Sequence, residues 1–233
     1  MRIQGISGSR GVAVGNVYRY IQEEIVIPDY TVAEDKVEAE IGKFAAAMAA
    51  TLKQLDTIRQ KALDEMGPEE AAIFEAHMQI AQDPSLSDGI KSLVETSHTN
   101  VIAATAQTIE TFANIFLGME DPYMRERGAD IKDIGDRLMR NMLGMNPRGL
   151  SHISGEVILV AQDLAPSDTA SLDKNVVKGI VTAAGGPTSH AAIMARTLEI
   201  PAVMGVGDIE SFVDGNKAVV LGTDGIVEMN PSD

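Results

Sequence analysis

The residues with the most chemical potential in this 233-residue chain lie in one stretch, GIVTAAGGPTSHAAIMARTLEIPAVMG, residues 179–205. GIVTAA has the apolar, β-branched character of a buried strand. Gly185-Gly186 permits a sharp turn and leaves room beside the main chain. Thr188 and Ser189 are capping residue types, and AAIMARTLE is a good helix former. His190 is therefore expected in the first turn of a helix, at the exit of a strand. Free N–H groups and the helix dipole favour an anion there and disfavour an imidazolium. A neutral imidazole is a competent nucleophile at neutral pH. The combination suits a histidine that accepts a phosphoryl group and is stabilised while it carries that charge. A simple anion site with His190 as a bystander is the structural alternative.

Other chemistries fail on inventory. No G-x-x-x-x-G-K-[ST] loop occurs. The chain has no cysteine, and its four histidines include no pair at metal-ligand spacing, so no metal site is expected. Ser189 follows Gly-Pro-Thr and has no glycine two residues on, which excludes the G-x-S-x-G nucleophile elbow. His77 falls in mid-helix, and His98 and His152 fall in loop-like contexts that earn no role.

The formal net charge is −15, which disfavours nucleic acid and anionic membrane and is compatible with a basic protein partner. The absence of cysteine excludes disulfides and fits a reduced, cytoplasmic setting. The start, MRIQGISGSRGVAVG, has no apolar signal core. No apolar run approaches the ~20 residues that span a bilayer.

Three zones must position His190. Residues 1–30 are rich in glycine and β-branched residues and read as short strands and turns, through EEIVIP. Residues 31–146 read as helix almost throughout, with 20 acidic and 11 basic residues and a net charge of −9. There TVAE, Thr31 to Glu34, has the pattern of a capping box. Val37, Ile41, Phe44, Met48, Leu52 and Leu55 then form one helical stripe. Gly67-Pro68, Asp83-Pro84, Asn100 and Asp121-Pro122 punctuate an acidic bundle of about four long elements. From residue 147 short apolar segments return at 156–161, 179–184, 200–205, 217–222 and 225–230, with helical pieces between the first four and a terminal hairpin at Asp224-Gly225. The expected organisation is one α/β domain built from both chain ends, residues 1–30 plus 147–233. An all-α helical bundle, residues 31–146, is inserted in it.

GGPTSHAAIMARTLEIPAVMG resembles the phosphohistidine motif shared by Enzyme I of the bacterial phosphoenolpyruvate:sugar phosphotransferase system, pyruvate phosphate dikinase and phosphoenolpyruvate synthase. GISGSRGVAVG, EEAAIFEAHMQIAQDPSL, YMRERGADIKDIGDRLMRNMLG and GEVILVAQDLAPSDTASLD extend the likeness to Enzyme I across the whole chain, helical insert included. The resemblance is to its amino-terminal half and implies a piece of a longer enzyme, with a swivelling phosphohistidine domain. The rest would be a barrel that binds phosphoenolpyruvate and Mg²⁺; no cofactor is expected in this chain. A nitrogen-regulatory Enzyme I paralogue, an Enzyme I-like segment of a dihydroxyacetone-kinase phosphocarrier, and a non-catalytic docking module are the alternatives. The start at Met1 favours a free Enzyme I.

The resemblance implies that His190 takes a phosphoryl group from phosphoenolpyruvate, on Nε2, and passes it to a histidine of the small protein HPr. Gly185, Gly186, Thr188 and Ser189 would shape the turn and offer donors. Arg196 would steer phosphate, and Thr169 would orient the imidazole through its hydroxyl. The helical insert would dock HPr through Glu69, Glu75, His77, Ile80, Asp83, Phe116, Tyr123 and Arg127. Two positions depart from the family pattern: Pro187 stands where many members carry a basic residue, and Glu70 where some have lysine.

Overall fold

Apolar residues at three- and four-residue spacing fold the middle of the chain into helices. The computed structural model describes residues 1–146, 150, 153 and 155–231, without the side chains of residues 122, 123 and 126. The chain divides into two units, one of Met1–Glu23 with Gly149–Asp233 and one of Glu24–Arg148.

The second unit contains α1 (Val37–Glu65), α2 (Pro68–Ala81), α3 (Pro84–Ser97), α4 (Val101–Leu117) and α5 (Pro122–Leu143), five long helices where about four were expected. Its core joins Phe44, Leu86, Ile90, Ile102, Ile134 and Leu138, with the Val37, Ile41, Met48 and Leu52 stripe packed against it. The helix starts follow local chemistry. Pro68 and Pro84 open α2 and α3, where a missing N–H costs no helical bond. Asp83 Oδ1 accepts from the N–H of Ser85, and Asn100 Oδ1 from that of Ala103. The capping box at Thr31 does not form. Thr31 instead bridges Thr99, and an uncapped 3-10 turn over Glu34–Lys36 leads into α1. Glu34 pairs with His98 at 3.3 Å.

The first unit is an eight-stranded mixed sheet. Its strands are β1 (Arg2–Gln4), β2 (Ile6–Ser9), β3 (Val12–Tyr20), β4 (Val157–Ala161), β5 (Val177–Thr182), β6 (Ala202–Met204), β7 (Lys217–Leu221) and β8 (Ile226–Met229), in the order β1-β8-β7-β3-β4-β5-β6-β2. β3 to β6 run parallel, and the flanking pairs are antiparallel. All of β4 is buried, as suits a parallel strand covered on both faces. The crossovers carry α6 (Pro166–Thr169) and α7 (His190–Thr197). Between β6 and β7 only turns occur among the described residues, folded over the buried ring of Phe212. The EEIVIP segment is not a strand. It finds no ladder partner, and Val26 is 80% exposed. No described helix is long and apolar enough to cross a membrane.

Candidate active site and docking groove

The turn that carries His190 is built from its own side chains. Thr182 ends β5 fully buried, and its hydroxyl donates to the carbonyl of Ala184 at 2.6 Å. The N–H groups of Ala183 and Ala184 bond to the carbonyls of Ala161 and Gln162, which pins the start of the turn to the end of β4. Gly185 then takes φ +91°, a conformation that disfavours any side chain, and a Cβ there would lie 3.2 Å from Ser189 Oγ. Gly186 has no such constraint and open space around it; its carbonyl receives both the N–H and the hydroxyl of Ser189. Ser189 Oγ in turn accepts from the N–H of Ala192 at 3.3 Å, so Ser189 is the N-cap and His190 the first residue of α7. Thr188 is exposed and makes no cap contact among the described bonds.

His190 is half-buried, and its Nε2 atom is withdrawn from solvent. Arg196, in the last turn of α7, folds back: Nη1 donates to the carbonyls of Pro187 and Gly8, each at 2.8 Å. It is thus a tie between the turn, α7 and β2. Pro187, exposed, supplies one of the two carbonyls.

Thr169 lies on α6, which packs against α7. Its hydroxyl donates to the carbonyls of Pro166 (3.0 Å) and Ala165 (3.3 Å). The proton is therefore used locally, and a lone pair is what the oxygen has left to offer an imidazole. The residue before it went unnoticed in the sequence. Asp168 is fully buried and accepts from Tyr20 Oη (2.7 Å), Gln22 Nε2 (3.2 Å) and the N–H of Ala165 (3.1 Å). These bonds anchor α6 to the chain leaving β3. An acid three residues after a helix start was the available signal.

In the helical unit, a largely apolar groove of about 390 Å³ opens beside α2, α4 and α5. It gathers Ile80, Asp83, Phe116 and Arg127, four of the eight predicted docking residues, and adds Leu86, Phe112 and Met124. Glu69 and Glu75 are exposed on α2 but do not line it. His77 must be corrected. It is fully buried, with Nε2 3.1 Å from Asp130 and Nδ1 3.8 Å from Asp133, and offers no surface to a partner. The side chain of Tyr123 and all of His152 lie outside the described residues. Glu70, half-buried, turns its carboxylate toward Gly67 at the start of α2. No cluster of three or more potential metal ligands occurs among the described residues.

The family model for the N-terminal part of PEP-utilising enzymes matches residues 4–127, and the model for their mobile domain matches residues 153–225. The chain belongs to the PEP-utilising enzyme family. It is 43% identical over 231 residues to the phosphoenolpyruvate-protein phosphotransferase of Geobacillus stearothermophilus, and 42% identical over 232 residues to that of Lactococcus lactis subsp. lactis (strain IL1403). Each alignment covers 99% of this chain and 40% of the relative, so the chain spans well under half the length of these transferases. The NMR solution structure of Enzyme I (nEIt) superposes with a TM-score of 0.83 at 40% identity, covering 99% of this chain and 94% of the other. The N-terminal domain of Enzyme 1 - Nitrogen gives 0.65 at 25% identity over the same coverage.

Proposed function

We propose that this chain is the phosphoryl-carrier and partner-docking part of a phosphoenolpyruvate-protein phosphotransferase that serves sugar uptake. The observation that carries the reading is the position of His190, first in α7 behind the Ser189 cap. An imidazole nitrogen attacks phosphorus, an N–P bond forms, and the bond to the enol oxygen breaks. Enolpyruvate leaves and takes up a proton as pyruvate. In the second step a histidine of HPr attacks the same phosphorus and the bond to His190 breaks. The positive end of the helix dipole at the start of α7 favours the added negative charge. For transfer at Nε2, the imidazole swings outward, because that atom is withdrawn from solvent in the resting position.

Phosphoenolpyruvate and Mg²⁺ belong, on this reading, to a barrel in the rest of the enzyme, and HPr docks in the groove of Ile80, Asp83, Phe116 and Arg127. The unit holding His190 is the swivelling phosphohistidine domain, since one histidine must meet two partners. The sugar-linked enzyme is favoured over the nitrogen-regulatory one by the nearer match to Enzyme I, a TM-score of 0.83 against 0.65. The experiment is phosphoryl exchange with phospho-HPr in wild type and His190→Ala. Loss of exchange with HPr binding retained supports the carrier; exchange that survives the substitution eliminates it.

A further inference from the structure

Behind the groove lies a buried cluster of one imidazole and two carboxylates. His77 of α2 is fully buried, held edge-on against Phe74 at 5.8 Å between ring centres. Two carboxylates of α5 face it, Asp130 at 3.1 Å from Nε2 and Asp133 at 3.8 Å from Nδ1. The imidazole meets them at ion-pairing distance but off the line of a hydrogen bond. Asp130 is shared: Oδ1 faces the imidazole, while Oδ2 lies 3.7 Å from Nη1 of Arg127. The Asp130 and Asp133 side chains are 6% and 4% exposed, and burying carboxylates is costly unless polar or cationic groups surround them. Arg127, 29% exposed, reaches from this cluster to the groove wall.

We infer that His77 is a positioning residue: through Asp130 it holds Arg127 as the fixed cation of the docking groove. The inference rests on the docking reading above. It gives the groove a polarity. Asp83 supplies an exposed carboxylate at the α2–α3 corner, Arg127 a guanidinium on α5, and Ile80, Phe112 and Phe116 an apolar surface between helices. The matching partner surface is an apolar face with a basic group for Asp83 and a carboxylate or carbonyl oxygen for Arg127.

The test is a double-substitution cycle on HPr binding. His77→Leu, shown to fold by its far-UV spectrum, is expected to raise Kd about tenfold with Arg127 present, but less than about twofold in an Arg127→Ala background. His77→Gln, which keeps a polar group toward Asp130, is expected to recover most of the loss. Equal losses in both backgrounds mean general structural support and overturn the inference. If His77→Leu does not fold, Asp130→Asn takes its place in the same cycle. The Nε–Hε NMR signal of Arg127 reads positioning without any partner. It is expected to shift and exchange faster in His77→Leu or Asp130→Asn, and an unchanged signal overturns the inference. If Phe116→Ala and Arg127→Ala both leave HPr affinity unchanged, the docking reading has failed, and the Arg127 signal alone decides whether His77 positions the guanidinium.

Discussion

Nη1 of Arg196 donates to the carbonyl oxygen of Pro187 at 2.8 Å, so the last turn of α7 reaches back to the residue three before His190. The same nitrogen reaches Gly8 on β2. Arg196→Ala removes both bonds. Because the side chain is exposed, the expected stability loss is modest, about 1 kcal/mol by denaturant unfolding. Phosphoryl exchange with HPr should fall further, about tenfold or more, because the turn that aims His190 is loosened. Arg196→Lys keeps the charge without the planar fork and should rescue little. Full rescue by lysine would show that charge near the phosphate, not the tie, is what matters.

Ser189 links the turn to the helix from the other side, accepting from Ala192 and donating to Gly186. Ser189→Ala should cost about 1 kcal/mol, the usual value of a lost N-cap. Ser189→Asp, which keeps an acceptor, should restore most of that stability. It also sets a negative charge beside His190, so it should slow phosphoryl transfer while the fold recovers. Thermal unfolding and exchange rates, measured together, separate the two effects.

The groove makes a prediction of affinity rather than chemistry. Phe116 is half-buried and faces the groove from α4. Phe116→Ala should raise the Kd for HPr about tenfold, in line with the loss of an aromatic anchor. The rate at saturating HPr should change little. An unchanged Kd from isothermal titration would place the partner elsewhere on the helical unit.

A pH dependence follows from Glu40, which is 5% exposed. Burial raises its carboxyl pKa, but bonds from Lys43, the N–H of Val101 and the Tyr30 hydroxyl outweigh burial and hold it below the ordinary value. The folded pKa is thus depressed. The stabilisation is complete above the unfolded value, about 4.3, and is lost as pH falls through the folded one. Glu40→Gln should therefore be clearly less stable than wild type at neutral pH, with the gap closing in acid. A gap that stays constant in urea unfolding between neutral and strongly acid pH would contradict the assignment.

Local chemistry was readable at several caps and turns that close on adjacent residues. The Ser189 cap, the Pro68 and Pro84 helix starts and the hairpin at Asp224-Gly225 all depend on residues within one turn. Thr31 misled because its capping pattern competes with a bridge to Thr99, a partner that sequence does not display. EEIVIP has strand composition but no strand to pair with. Ile80 and Phe116 were named from the resemblance to Enzyme I and line the groove; Phe112 and Met124 line it too, but apolar spacing on α4 and α5 fits core and groove equally and does not single them out. His77 failed for the same reason. A helical period places it on a face, but only Asp130 and Asp133, more than fifty residues on, make that face an interior one.

The most direct measurement is the intact mass of this chain after incubation with phosphorylated HPr, followed by brief acid treatment and peptide mapping. The account predicts one acid-labile phosphoryl group, mapped to His190 and absent from His190→Ala. A folded chain that stays unmodified beside demonstrably phosphorylated HPr, or that carries the group on another residue, would contradict it.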